Sequence, residues 1–350
     1  MMNNNIIING YTIPSKFFFA PINTGYSENG LPNSRLFDFH KKRSGKSIGI
    51  SYIGNVAVDK KYITNENTLY LNKNYNFGKW RKLSISILEN GSVPGVQLGC
   101  RVSKIIPMKS MICISNNEYI QLATKEFSSY SKDFIEEIID KYIISAIRLY
   151  NLGFKVIQIH AAHGYFLSLA LSMFFNRRKD IYGEKIFILK KIINGIKDVI
   201  PECILDVRIS IIEGIESYEY EFYEKYELIR KIIPTKIDMI SLSSGIYNIN
   251  KNLIYPNDVT EHAVNEKYGM KLALDFENIM WNVAGNITDI ENLKGLNLPN
   301  LTYSIGRALI SDEYFVEKTL KGNKKSIRTC NRCNKCHYYS NSKKTISSCL

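Results

Sequence analysis

Nowhere in the 350 residues do eighteen apolar side chains follow one another, which excludes a membrane-spanning helix of ordinary length. The opening Met1-Met2-Asn3-Asn4-Asn5 lacks the basic segment and long apolar core of a secretory leader, so a cytoplasmic location away from membranes is expected. No internal repeat divides the chain. Acidic residues are in deficit, 33 against 46 Lys and Arg, for a formal net charge of +13. Such a balance invites a nucleic-acid reading, but the charge is spread along the chain, and no nucleic-acid partner is expected. Only the end is polarised, with nine Lys or Arg and no Asp or Glu from Lys318 onward.

Histidine is scarce as well, and two of the five stand three apart at one place. The run Phe154-Lys155-Val156-Ile157-Gln158-Ile159 is short and rich in branched apolar residues, as a buried strand is. His160 and His163 follow it, then Gly164 and Tyr165. A lone histidine is more often a packed or surface residue than a ligand. A pair where a strand gives way to a loop can converge imidazole N–H groups on one ligand oxygen, with a phenol at hand to supply a proton.

Eight stretches read as strands: 16–20, 48–53, 93–98, 154–159, 204–209, 237–242, 279–283 and 301–305. Most are followed by a helical pattern, the alternation of a parallel α/β protein. No dinucleotide fingerprint interrupts it, so a closed (β/α)8 TIM barrel is favoured over a doubly wound sheet, and 350 residues suit a single barrel. The clearest helix runs from Ser131, a capping residue, to Leu152, with Gly153 as its stop. Its apolar stripe is Phe134, Ile138, Tyr142, Ala146 and Leu149. Residues 101–130 read as a loop insertion with a short hairpin over the barrel mouth.

Functional residues of such barrels sit at the C-terminal ends of strands. The first end carries Ala20-Pro21-Ile22-Asn23-Thr24, which also reads as a plain turn. The third carries Gln97, an amide that donates and accepts at once. The fifth carries Arg208, whose guanidinium inside an apolar barrel needs an anionic or carbonyl partner. Gly285 after the seventh, and Gly306-Arg307 after the eighth, stand where phosphate commonly binds. Tyr247, beyond the sixth, suits pocket lining and packing equally.

Cysteine is sparse in the barrel and crowded at the end: Cys330, Cys333, Cys336 and Cys349 share the last 21 positions. In a reducing compartment that clustering points to metal rather than disulfides. C-x2-C-x2-C with a distant fourth Cys is an iron–sulfur spacing, with zinc the rival ligand. The expected division is therefore a barrel over 1–322 and a metal-binding tail over 323–350.

His160-x-x-His163-Gly164-Tyr165, with Ser172, Asn176, Arg178, Asp180, Tyr182 and Gly183 behind it, resembles the signature of the Old Yellow Enzyme family. Met173 replaces a usual Pro and Glu184 a usual Gly. The resemblance implies an FMN-dependent oxidoreductase that most often reduces an alkene conjugated to a carbonyl. It implies that His160 and His163 hold the substrate oxygen, that reduced FMN supplies hydride, and that Tyr165 supplies a proton. It assigns Ala20, Pro21 and Asn23 (Thr24 if the register slips by one) to the flavin ring and Gln97 to its pyrimidine edge. Arg208 falls to its electron-rich edge, and Gly285, Gly306 and Arg307 to its phosphate. Cys100 stands in place of a family His and carries no role over.

The tail spacing is similar to the 4Fe–4S site of the trimethylamine dehydrogenase and dienoyl-CoA reductase branch. Longer members of that branch continue into nucleotide-binding domains, which are expected here to be absent or separate, since the sequence stops at Leu350. Beyond a small-molecule substrate, the expected electron sources are NAD(P)H, a ferredoxin-like protein or a separate reductase, and homo-oligomerisation is left open. Two other readings stand beside ene reduction: oxidation of an amine or similar donor, and an FMN-binding biosynthetic partner without ene reductase activity.

Overall fold

The computed structural model describes residues 5–45, 47–71, 77–102, 115–257, 262–334 and 336. Eight parallel strands form the barrel: β1 (Phe17–Phe19), β2 (Ile50–Ala57), β3 (Val93–Gly99), β4 (Val156–Ala161), β5 (Ile204–Ile212), β6 (Met239–Ser244), β7 (Met280–Ala284) and β8 (Leu301–Ile305). Each pairs with its neighbour in chain order, and β8 pairs back onto β1, so the sheet closes. All eight overlap the strands expected from the sequence. Closure without edges is the (β/α)8 architecture.

Alternation along the strands sorts side chains between an outer and an inner core. Leu205, Val207 and Ile209 of β5 pack outward with the helices, as do Ile240 and Leu242 of β6. The inner set rises in layers. At the bottom Phe18, Ile50, Tyr52, Val93, Val156, Ile204 and Met239 form an apolar cluster. A hairpin, Ile6–Ile8 paired with Tyr11–Ile13, lays Ile6, Ile8 and Ile13 on that cluster and closes the barrel floor. Its turn is Asn9-Gly10, with φ of 45° and 79°, the pair that a tight hairpin demands.

Above the floor the interior turns polar. Gln97, Gln158 and Asp206 are register neighbours on β3, β4 and β5, and all three are buried. Asn282 donates to Ser241 at 2.9 Å and Ser304 at 2.8 Å, continuing the layer round β6, β7 and β8. Two residues further up β4 and β5, His160 and Arg208 are again register partners. The polar layer lifts this pair to the rim.

Helix α1 (Asn116–Ser129) stands where a hairpin was expected, capped by Ser115, whose hydroxyl accepts from the Glu118 N–H at 3.2 Å. Its Tyr119, Ala123 and Phe127 are buried at helical spacing, which overrides the loop reading; residues 103–114 of the insertion lie outside the described residues. Helix α2 (Lys132–Asn151) begins at Ser131 as expected, with the Ser131 hydroxyl accepting from the Phe134 N–H, and Gly153 follows it at φ 103°. The buried stripe differs at its start: Ile135 and Ile139 face the core, while Phe134 stays half-buried against Tyr130, 4.7 Å between ring centres. Among the described residues no helix is long and apolar enough to cross a membrane.

Between the helix Ser34–Arg43 and β2, His40 is fully buried with its Nδ1 3.1 Å from Ser51 Oγ and its ring against Phe19 and Phe39. Burial, helped by Arg43, pushes its pKa down to about 3. The unfolded chain takes a proton at this residue near pH 6.5, whereas the folded chain holds it off until about 3. Stability from this group is thus complete above 6.5 and is lost as pH falls from there, by about 1.4 kcal/mol per unit. Urea midpoints between pH 7 and 4.5 should show a shallower acid decline in His40→Gln than in the parent.

Candidate active site

A cavity at the barrel mouth is lined by Ala20, Pro21, Asn23, Gln97, His160, His163, Tyr165, Arg208, Gly285, Gly306 and Arg307, the strand-end residues assigned to cofactor and substrate from the sequence. Asn23, not Thr24, is the residue that faces it. The Asn23 amide N–H donates to Thr64 Oγ1 at 3.0 Å, and its carbonyl accepts from the Gly25 N–H. Thr24 is buried in the turn, where its hydroxyl accepts from the Tyr26 N–H. Cys100 is fully buried, away from the cavity, and burial pushes its thiol pKa well up.

The two imidazoles meet edge to face, 4.9 Å apart, and the Tyr165 ring stands 4.7 Å from His160 at a similar angle. His160 is buried, and burial together with the Arg208 charge keeps its pKa well below the ordinary value, so it is neutral. Its Nδ1 accepts from the Ala162 N–H at 3.3 Å, which assigns the ring hydrogen to Nε2. Arg208 donates to Ser243 Oγ at 3.0 Å, and the same oxygen lies 2.8 Å from His163 Nε2. The Ser243 hydroxyl thus links Arg208 to His163, and its bond to Nε2 fixes that ring. Burial raises the Tyr165 phenol well above its usual pKa, so it keeps its proton at neutral pH.

His163 adopts φ 64°, left-handed backbone that a residue with a Cβ takes only when its surroundings enforce it. Three contacts do so: its N–H donates to Ser210 Oγ at 3.1 Å, its carbonyl accepts from the Tyr247 N–H, and it bridges to Ile246. The C-terminal part of β5 and the loop after β6 thus hold the backbone from which the ring projects.

The rest of the motif is scaffold. Arg178 donates to three carbonyls at the end of α1, those of Phe127, Ser128 and Tyr130, and makes a two-pronged pair with Asp180. Asn176 bonds the carbonyls of Ala170 and Tyr182, and the Tyr182 hydroxyl donates to Glu136 at 2.6 Å. Ser172 donates to Glu213, a buried carboxylate paired with Lys225 at 2.6 Å. These bonds hold the segment after Tyr165 against the first helical layer.

At the opposite end of the cavity the groups turn cationic. Gly285 sits at φ 139°, and a Cβ there would meet Asn265 Nδ2 at 2.9 Å, so glycine is required. Asn286 follows with positive φ and accepts from both Arg307 and Arg332 at 3.0 Å. Arg307 also donates to Asn334 at 2.6 Å.

The described part of the tail, residues 323–334 and 336, packs against this end. Lys324 pairs with Glu291 at 2.6 Å, and the Arg328 N–H donates to Asp312. Cys330 and Cys336 line the same cavity, while Cys333 is exposed. The described thiols do not gather into a ligand set of three, and Cys349 lies outside the described residues.

Sequence reasoning missed Asn55, Asn286, Tyr255 and Arg332. Tyr247 does line the cavity, its hydroxyl 2.7 Å from that of Tyr255. The neighbourhood of Arg332 to a cysteine run was visible, but its reach to β7 was not.

Over residues 5–326 the sequence matches the NADH:flavin oxidoreductase / NADH oxidase family. It is similar to an NADH oxidase of Thermoanaerobacter brockii, 24% identical across 93% of this chain and 52% of that protein. In fold it is similar to a histamine dehydrogenase from Rhizobium sp. 4-9, with TM-score 0.80, 17% identity, and coverage of 99% of this chain and 51% of that one. It is also similar to an Old Yellow Enzyme from Pichia sp. AKU4542, with TM-score 0.72, 14% identity, and coverage of 99% and 97%. The chain spans about half the length of the first two. The extent of the match, laid over a closed barrel with its polar residues gathered at one mouth, makes this chain a member of the NADH:flavin oxidoreductase / NADH oxidase family.

Proposed function

We propose that the cavity binds FMN and that the protein reduces an alkene conjugated to a carbonyl. The observation that carries this reading is the convergence of neutral His160, His163 and protonated Tyr165 on one wall of a cavity whose other residues suit a flavin.

Three features support the cofactor. Arg208 Nε is buried with no partner among the described residues, a spare donor where an electron-rich ring edge would lie. Gln97 offers an amide to the same wall. Gly285, Asn286, Arg307 and Arg332 form a cationic end fit for a phosphate. FMN would supply hydride chemistry to this site. The protein's own part is orientation and proton supply. His160 and His163 would donate to the substrate carbonyl oxygen and stabilise the negative charge that develops there. Tyr165 would give its phenolic proton to the carbon next to that carbonyl. NAD(P)H is the proposed electron source, in keeping with family relatives named NADH oxidase.

Protein purified without oxygen should be yellow or brown and release FMN on acid precipitation, one per chain. Release of FAD, or of no flavin, would remove the basis of the assignment. Turnover of simple enones then separates an ene reductase from a flavin-binding partner protein.

A second reading draws on the tail. Cys330 and Cys336 stand at the cavity itself, and with Cys333 and Cys349 they have the spacing of a 4Fe–4S site. We propose that the four cysteines bind such a cluster, with a ferredoxin-like protein or separate reductase as exchange partner. Tyr165 and Tyr247, 5.9 Å apart, would suit an amine, since aromatic faces attract cations, but the nearby Arg208 disfavours one.

A further inference from the structure

The barrel interior holds a carboxylate that the proposed reaction does not use. Asp206 lies on β5, one layer below Arg208, with no exposed surface. Its Oδ2 accepts from the Tyr52 hydroxyl at 2.9 Å, the Ser241 hydroxyl at 2.8 Å and the Gln158 amide. Its Oδ1 has no partner among the described residues. Burial raises its pKa to about 6, which leaves it ionised at neutral pH.

We propose that Asp206 is a positioning residue that sets, through Gln158, which end of the Gln97 carboxamide is presented to the cofactor. This role follows from the donors and acceptors in the layer and rests on FMN occupying the cavity. An ionised carboxylate has no hydrogen to give. Gln158 must therefore turn its NH2 group toward Asp206, where the same nitrogen also reaches Ser241 Oγ at 3.1 Å. Its carbonyl is left facing Gln97, whose Nε2 donates to it at 2.6 Å. With one hydrogen spent there, Gln97 keeps one N–H and its carbonyl oxygen for the cavity it lines. Turning either amide over would set like groups against each other in a dry layer, which costs free energy. The acceptor-only end of the chain thus imposes one direction on both amides.

The flavin's pyrimidine edge carries a single N–H, at N3, flanked by two carbonyls. The pair left on Gln97 is complementary to it: the side-chain carbonyl takes the N3 hydrogen and the remaining N–H takes a neighbouring carbonyl. A Gln97 free to turn would offer two N–H groups to a wall that also holds Arg208, leaving the flavin N3–H without an acceptor. Asp206 touches neither flavin nor substrate, yet it determines this match.

The test reads the flavin N3 proton rather than turnover. Apoprotein is reconstituted with 15N-labelled FMN, and exchange of the N3–H with water is followed by NMR. The parent should protect this proton, whereas Asp206→Asn, whose amide can turn its NH2 as well as its oxygen toward Gln158, should protect it less. Asp206→Leu removes the terminus, and Gln158→Met cuts the chain in its middle. Both should bind FMN about tenfold more weakly, the worth of roughly one hydrogen bond, and exchange N3–H at least tenfold faster. Bound FMN with unchanged protection in folded Gln158→Met would overturn the assignment, whether or not Asp206→Leu folds. Full protection in Asp206→Asn would overturn it too, because an end able to donate as well as accept would then impose the same direction. A parent apoprotein that takes up no FMN would refute the reading of the cavity instead.

Discussion

Replacing His160 and His163 together by Ala should lower kcat/KM for a simple enone by about 10³-fold, with FMN still bound one per chain. Each imidazole is one preorganised donor, and removing a single such donor costs about 10²- to 10³-fold. In the proposed reaction the two would act on the same oxygen, so their losses should not multiply fully. His160 gives a hydrogen from Nε2 because its Nδ1 is occupied by the Ala162 N–H, and His163 is fixed by Ser243. Neither ring has to be charged: burial and Arg208 keep His160 neutral, so its contribution should not vanish on the alkaline side of neutrality. Rapid mixing of the reduced protein with enone, beside a flavin count on each variant, separates lost chemistry from lost cofactor. An intact rate in the double variant would make the pair structural, like the Arg178 and Asn176 half of the same motif.

That motif shows what the sequence makes legible and what it hides. Hydrophobic runs located all eight strands, because a strand buried on both faces reads as a continuous apolar stretch. Strand ends located the cavity wall, because the βα loops of a closed barrel converge on its C-terminal rim. The interior layer escaped. Gln158 and Asp206 sit inside strands, and only the register that brings β3, β4 and β5 level shows that they touch Gln97. Helix α1 escaped for another reason: its three buried side chains are spread among polar neighbours, and the burial comes from packing with the scaffold behind Tyr165. Arg332 reaches across 46 residues to Asn286, a contact that no local pattern encodes.

The same long reach joins the described tail residues to the cationic end of the cavity, so a cluster bound by the tail would act on that end too. Cys333→Ser should abolish iron binding in protein made without oxygen, since a four-cysteine cluster has no spare ligand. It should also weaken FMN binding, by about ten- to a hundredfold. Arg332 holds Asn286 and Thr288 from the tail side, and Asn334 holds Arg307 while its amide reaches the Tyr255 carbonyl. Each of these tail residues neighbours a cysteine of the run, so ordering the cysteines on a metal also orders the clamp on the cationic end. Two part-buried charge-assisted bonds loosened together account for an effect of about 1.5–3 kcal/mol. FMN titration into Cys333→Ser and parent apoprotein reads the coupling directly, and thermal unfolding shows whether the barrel itself survives. Equal FMN affinities would make the tail an independent appendage. Stoichiometric zinc without iron would overturn the cluster but leave the clamp, because four thiolates on zinc would order the same residues.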